Sequence, residues 1–262
     1  MEEKIRLGGM ALANGVLVHG PHAWACAVRL PNGELKVEAD IKRFRAADVT
    51  NPFVRGPVRL LEAFALLPIV RRRVPEARLP FERPVVLAAL AASTVAVRVV
   101  RESPRLGVAA RELLTAALSF APAATALRNS SLAAYHGAEH VSIGSYEHGE
   151  QRDKEHERCG SHLLAPLLAT AAVGNALAAR APEHLRGGAR ATAFLGAMAA
   201  STEIFAWMVR NPDHPVSRAL AKPGHELQHR FATSEPSPEQ LEVAEAALAA
   251  CLELENGASD SH

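Results

Sequence analysis

The sequence is poor in aromatic residues, poor in cysteine, and carries no excess of charge of either sign. Phe, Trp and Tyr together make up 5% of its 262 residues. A β-rich core draws on aromatic and β-branched side chains, so a dominant sheet fold is excluded. Three cysteines, Cys26, Cys159 and Cys251, are odd in number and far apart. They exclude a disulfide framework and point to a reducing environment. The 29 Lys+Arg stand against 28 Asp+Glu, a net charge of +1, which excludes the broad basic footprint of a nucleic-acid binder. No signal peptide is expected, because the start MEEKIRLGGMALANG has no apolar stretch behind its basic residues.

What is present is apolar and small. Hydrophobic residues reach 48%, much of it alanine, the strongest helix former. With a net charge near zero, that content excludes a disordered chain. The mean hydropathy of +0.01 averages over two populations, apolar segments within 84–209 and charged ends around them. We expect a mainly α protein, a helical and membrane-embedded bundle with a short N-terminal β region and a C-terminal docking helix. The boundaries read as 1–55 for the β region, 56–212 for the helical membrane core and 213–262 for a polar segment with one helix.

The β region rests on a turn signal, Pro31-Asn32-Gly33, between arms at 24–30 and 34–41. A Gly-rich strand (Gly8, Gly9, Gly15, Gly20) is expected before it. Residues 57–70 suit an interfacial helix, followed by the basic run Arg71-Arg72-Arg73. Four apolar segments then come at 84–100, 107–127, 159–179 and 188–209. A bilayer span needs about 20 mostly apolar residues, and 159–179 and 188–209 meet this best. Basic residues in the alternate loops give a weak bias that puts both termini and the 128–158 loop on the cytoplasmic side. Membrane lipid is therefore an expected partner, with the chain a multi-pass protein of the inner (plasma) membrane. Near the end, Ser237-Pro238-Glu239-Gln240 reads as a capping box with proline at the first helical position. Leu241, Ala244, Leu248, Cys251 and Leu252 mark one face of the helix that follows, and 256–262 are expected to fray.

Histidine carries the chemistry. Of 12 in the chain, five lie within 134–162: His136, His140, His148, His156 and His162. His136-Gly137-Ala138-Glu139-His140 is an H-x-x-E-H string. Histidines at i and i+4 share one helix face, so both imidazoles can reach one divalent ion, with zinc the favoured metal. Glu139 beside them is placed to act as a general base, as in the reversed zincin motif. A catalytic zinc takes three protein ligands and keeps one position open. Glu203, the lone acid of its apolar segment, is the first choice for the third ligand, since an ionisable group there needs a partner. Cys159 and His156 are its rivals. A literal H-E-x-x-H also occurs at His225 to His229, but in a polar segment without an evident third ligand.

These stretches resemble a known family. Tyr135 to Glu147 (YHGAEH-x-x-I-x-x-YE) and His156 to Gly160 (H-x-RCG) are similar to the YqhQ-like family of bacterial membrane proteins. So are Gly8 to Val16, Gly20 to Glu34, Thr202 to Phe205 (TEIF) and Thr233 to Ala244. The resemblance runs in order from about residue 8 to 252. It implies a membrane location, a helical core and a metal-dependent enzyme, with His136, Glu139, His140, Cys159 and Glu203 at positions that match the family pattern. Two positions depart from it: Met10 and Asn14 stand where the family has Gln and Glu. The expected function is a metal-dependent hydrolase or peptidase at the cytoplasmic membrane surface. The alternatives are a non-enzymatic membrane scaffold, assembly factor or carrier with a polar cluster, and a soluble helical protein with a metal-stabilised loop.

Overall fold

The structure is a computed structural model that describes residues 4–127 and 131–259. It is mainly helical, with an N-terminal sheet and a C-terminal helix docked on it. Four strands form an antiparallel meander in the order β1 (Gly8–Leu12), β2 (Gly15–His19), β3 (Ala23–Arg29) and β4 (Leu35–Ile41). The turn at Pro31-Asn32-Gly33 joins β3 to β4 as expected, closed by the Gly33 amide on the Leu30 carbonyl at 2.9 Å. The expected single Gly-rich strand is instead a hairpin of two. Asn14 turns the chain between β1 and β2, donating to the Arg29 and Glu76 carbonyls and accepting from the Arg78 amide.

Strand alternation gives the sheet two buried faces. Ala11, Val16, Val18, Ala23, Ala25 and Ala27 face one way, against helices α4 (Ser131–His148) and α8 (Pro238–Ser259). Leu12, Leu17, Trp24, Cys26 and Val28 face the other, against helix α1 (Arg55–Arg73) through Leu66, Leu67 and Val70. The alanine-rich face brings the helix backbones close, while Trp24 fills the space on the α1 side. Each such Leu or Val buried contributes about 1.5–3 kcal/mol. At the start of α8, Ser237 and Gln240 bond reciprocally as the capping box requires. The helix runs unfrayed to Ser259, and residues 260–262 lie outside the described residues.

Two helical hairpins rise from this base. Helix α2 (Pro84–Glu102) packs along α3 (Val108–Leu127), and α5 (Leu164–Ala178) packs along α6 (Arg186–Arg210). Each hairpin leaves the sheet side and returns to it, so α4, the 149–163 loop and helix α7 (Pro215–Leu227) all gather at the same end. Three helical stretches, Pro84–Glu102, Gly160–Ala178 and Glu183–Arg210, are long and apolar enough to cross a membrane. Between 11% and 17% of their apolar windows is buried. Val95, Val99, Val173, Phe194 and Leu195 all point outward, the reverse of a soluble bundle. The expected fourth span, α3, is not among them; Arg111 and Glu112 sit in its first turns, and Glu112 accepts a hydrogen bond from Asn175 of α5.

A buried polar knot ties the sheet to α1. Lys42 donates to the Gly20 carbonyl, to Glu62 at 2.9 Å and towards the His19 ring at 3.1 Å. The other Glu62 oxygen accepts the Ala46 amide. Burial, and then the Lys42 ammonium, push the His19 pKa down from 6.5 to about 4, against a smaller opposing pull from Glu62. The folded state therefore releases the His19 proton at a lower pH than the unfolded state does. Between pH 6.5 and about 4 the unfolded chain binds more protons, so stability rises with pH across that window. We expect chemical denaturation to show stability falling by at most about 3 kcal/mol from pH 7 to 4 on this account. The His19→Gln variant should lose most of that slope, and an unchanged slope would contradict the assignment.

Candidate metal centre

Helix α4 is buried along most of its length, and its polar residues are buried with the rest. Glu139 and His140 are 6% and 3% exposed. The surroundings are shaped to admit them. A side chain at Gly9 of β1 would place its Cβ 2.3 Å from the Glu139 carboxylate, and one at Gly137 would stand 2.2 Å from the Ser234 carbonyl. Glycine is required at both positions by this close approach. The Ser234 amide in turn donates to the Ala133 carbonyl, fastening the segment after α7 along α4.

His136 and His140 lie with ring centroids 4.4 Å apart. Each has its Nδ1 against a backbone carbonyl: His136 on Ala232 at 2.9 Å, His140 on Lys154 at 2.7 Å. A carbonyl oxygen only accepts, so both Nδ1 atoms carry the proton. Both Nε2 atoms then hold a free lone pair, the arrangement of a metal-binding histidine with its orienting partner. The Cys159 sulfur lies 3.7 Å from His136 Nε2. One donor atom from each of His136, His140 and Cys159 falls within 4.8 Å of the others, so the three could hold one metal ion. Three ligands of this kind match a zinc site with an open fourth position.

The electrostatics agree with that geometry. Burial, and then neighbouring His136, hold the His140 imidazole neutral, well below the usual histidine range. Glu139 reaches within 4.0 Å of His136 Nε2. Burial pushes its carboxyl up to about 7, against the pull of His136. It is a carboxylate poised to hold or release a proton near neutral pH.

The other expected ligands lie elsewhere. Glu203 is on α6, where Arg55 at the start of α1 grips it with two nitrogens; the Nε–Oε1 distance is 2.7 Å. Its costly charge is met by a guanidinium fork, so it is not in the donor group. His156 stands near, its ring 5.5 Å from that of His140, but both its nitrogens are engaged. Nδ1 accepts the Arg158 amide, which leaves Nε2 protonated to donate to Glu147 at 3.3 Å. In the literal H-E-x-x-H, the His225 and His229 rings stack at 6.3 Å, His229 pairs with Glu155, and Glu226 pairs with Arg230.

One buried residue that braces this region has no marker in the sequence. Gln228 is fully buried, accepts the His156 amide, and donates to the His156 carbonyl and to Ser161. It clamps the loop that carries both the Lys154 carbonyl and Cys159. It also opens a π-helical turn, Gln228–Ala232, which aims the Ala232 carbonyl at His136. Such turns recur at functional sites. Gln228 lies within the H-E-x-x-H string itself, at one of its two unspecified positions.

Comparison with known proteins bears on this same region. Residues 127–254 match a family described as "Protein of unknown function (DUF1385)". The match covers α4, the Cys159 loop, the α5–α6 hairpin, the π turn and most of α8. No curated protein and no solved structure matches the chain.

The Gly9 contact gives a direct test of how tightly the site is built. Gly9→Ala should lower stability by about 1–3 kcal/mol through overpacking against Glu139, a fall of about 2–10 °C in melting temperature. Gly188→Ala, in a helix with nothing near its Cβ position, should leave the melting temperature unchanged or raised. Equal effects of the two would show that Glu139 does not need this space.

Proposed function

We propose that the chain is a metal-dependent hydrolase, with zinc as the metal, working at the cytoplasmic surface of the inner membrane. The observation that carries this reading is the pair of carbonyl-anchored imidazoles presenting Nε2 toward Cys159, with the Glu139 carboxyl beside them. Resemblance to the YqhQ-like family supports it. So does the position of the site at the end of the molecule where the apolar hairpins meet the sheet.

His136, His140 and Cys159 would hold the ion, and the chemistry it supplies when bound is Lewis acidity toward water and a polarised substrate oxygen. The chain's own residues do the rest. The Ala232 and Lys154 carbonyls fix the imidazole tautomers, and Gln228 keeps Lys154 and Cys159 in register. Glu139 takes a proton at its carboxylate from the attacking water and returns it to the leaving group, as general base and then general acid. Its buried position keeps that proton from bulk solvent.

Purified full-length protein should contain about one equivalent of metal, and His136→Ala/His140→Ala should retain little. Glu139→Gln should keep the metal but lose about 100-fold or more of zinc-dependent ester hydrolysis. A native fold without metal sinks the site, and equal rates for Glu139→Gln and wild type reduce it to a structural metal. Alkaline carbonate should leave the chain in the membrane pellet; release would remove the membrane reading.

A further inference from the structure

A cavity of about 980 Å³ opens beside the histidine cluster, where helix α6 ends and α7 begins. One wall is apolar: Phe205, Met208 and Val209 from the last two turns of α6. That is the end of a stretch apolar enough to cross a membrane. The lining also takes in Ser217, Arg218 and Lys222 of α7 and the N-terminal residues Lys4 and Arg6. Apolar carbon thus meets a polar, cationic lining in one hollow.

The charges in the lining do not cancel. Its carboxylates are mostly spoken for: Glu147 faces Arg158 and His156, Glu155 faces His229, and Glu157 faces Arg152 and His148. Asp153 is exposed at the rim. Arg6 and Lys222 have no carboxylate partner among the described residues, and Arg218 only a distant one at 3.5 Å in the exposed Asp213. A second observation is independent of charge. Ser217 is 2% exposed, and its hydroxyl has no hydrogen-bond partner among the described residues. Buried hydroxyls are nearly always paired, and an exception calls for a ligand or a water. Ser217 also lies in the first turn of α7, where the helix dipole favours an anion, although His214 already takes the Val216 and Arg218 amides; this terminus adds to the cavity and the hydroxyl and does not stand alone.

We propose that this cavity binds the phosphate headgroup of a membrane lipid, with Arg6, Ser217, Arg218 and Lys222 around the phosphate and the acyl chain along Phe205 and Val209. The occupant is a phosphorylated amphiphile drawn from the bilayer. Free phosphate lacks the apolar half, and a neutral lipid lacks the charge. The site does not depend on the metal reading, since none of its residues is a proposed ligand.

The test is calorimetric titration of the full chain in a neutral detergent with three probes. These are dioctanoyl phosphatidic acid, dioctanoylglycerol and inorganic phosphate. Only the first should bind well, with the other two weaker by about tenfold or more, since each forfeits one half of the contact. Arg218→Glu/Lys222→Glu should weaken phosphatidic acid by about tenfold or more. Ser217→Ala should weaken it by about threefold. Phe205→Ala should reduce lipid binding without changing the weak response to inorganic phosphate. The charge-matched Arg43→Glu/Arg72→Glu variant, on exposed residues away from the cavity, should bind as wild type. Circular dichroism checks that each variant folds. Equal binding of phosphatidic acid and dioctanoylglycerol, equal binding of inorganic phosphate, or equal loss in both double variants would each overturn the proposal.

Discussion

The hydrogen bonds from His136 to Ala232 and from His140 to Lys154 bind the functional end of the molecule into one unit. An imidazole has two nitrogens and, when neutral, one proton. Fixing that proton on Nδ1 decides which nitrogen faces Cys159 and leaves it basic. The two carbonyls come from segments far apart in sequence, one in the loop after α4 and one in the π turn before α8. Neither segment can move without turning a ring. Gln228 joins them, since it begins the π turn and bonds both backbone groups of His156 in the loop. The buried amide therefore orients two rings without touching either.

The same end of the chain reconciles a soluble-looking sheet with apolar hairpins. The sheet packs on both faces, under α1 on one side and under α4 with α8 on the other. The hairpins bury little of their apolar surface. Their internal contacts use small and polar groups: Ser93 donates to the Leu118 carbonyl, and Thr170 to the Ala197 carbonyl. This is how helices associate when hydrophobic burial supplies no net drive between them. Arg55 and Glu203 then join α1 to α6 where the two regions meet.

Local signals in the sequence translated well. The capping box before α8, the turn between β3 and β4 and the i, i+4 histidines each depend on residues a few positions apart, and each has the expected local geometry. What failed was partnership over long sequence separation. Glu203 needed a partner, and that inference was sound, but Arg55 lies 148 positions away and is one of many arginines. His156 had the right residue type beside the right neighbours. Its orientation was set by the Arg158 amide and Glu147, which no spacing rule reveals. The Gly-rich start reads as one strand because the two residues of its turn, Ala13-Asn14, include neither Gly nor Pro. The Asn14 side chain instead ties this turn to the end of β3 and to residues 76–78.

Strand alternation also fixes where Met10 and Asn14 stand relative to the site. Side chains alternate along β1, so Gly9 and Ala11 face α4 and α8, whereas Met10 packs with Leu12 against the α1 side. A polar side chain at position 10 would point away from Glu139, across the sheet from the histidines. Asn14 is spent on backbone groups of Arg29, Glu76 and Arg78. Neither residue supplies a group to the centre. The strand's contribution there is made by its lack of a side chain at Gly9, which lets the sheet close over Glu139 and bury its carboxyl. Desolvation is the largest influence on that carboxyl. The N-terminal sheet thus acts on the site through packing, while the donors come entirely from α4 and the loop that ends at Cys159.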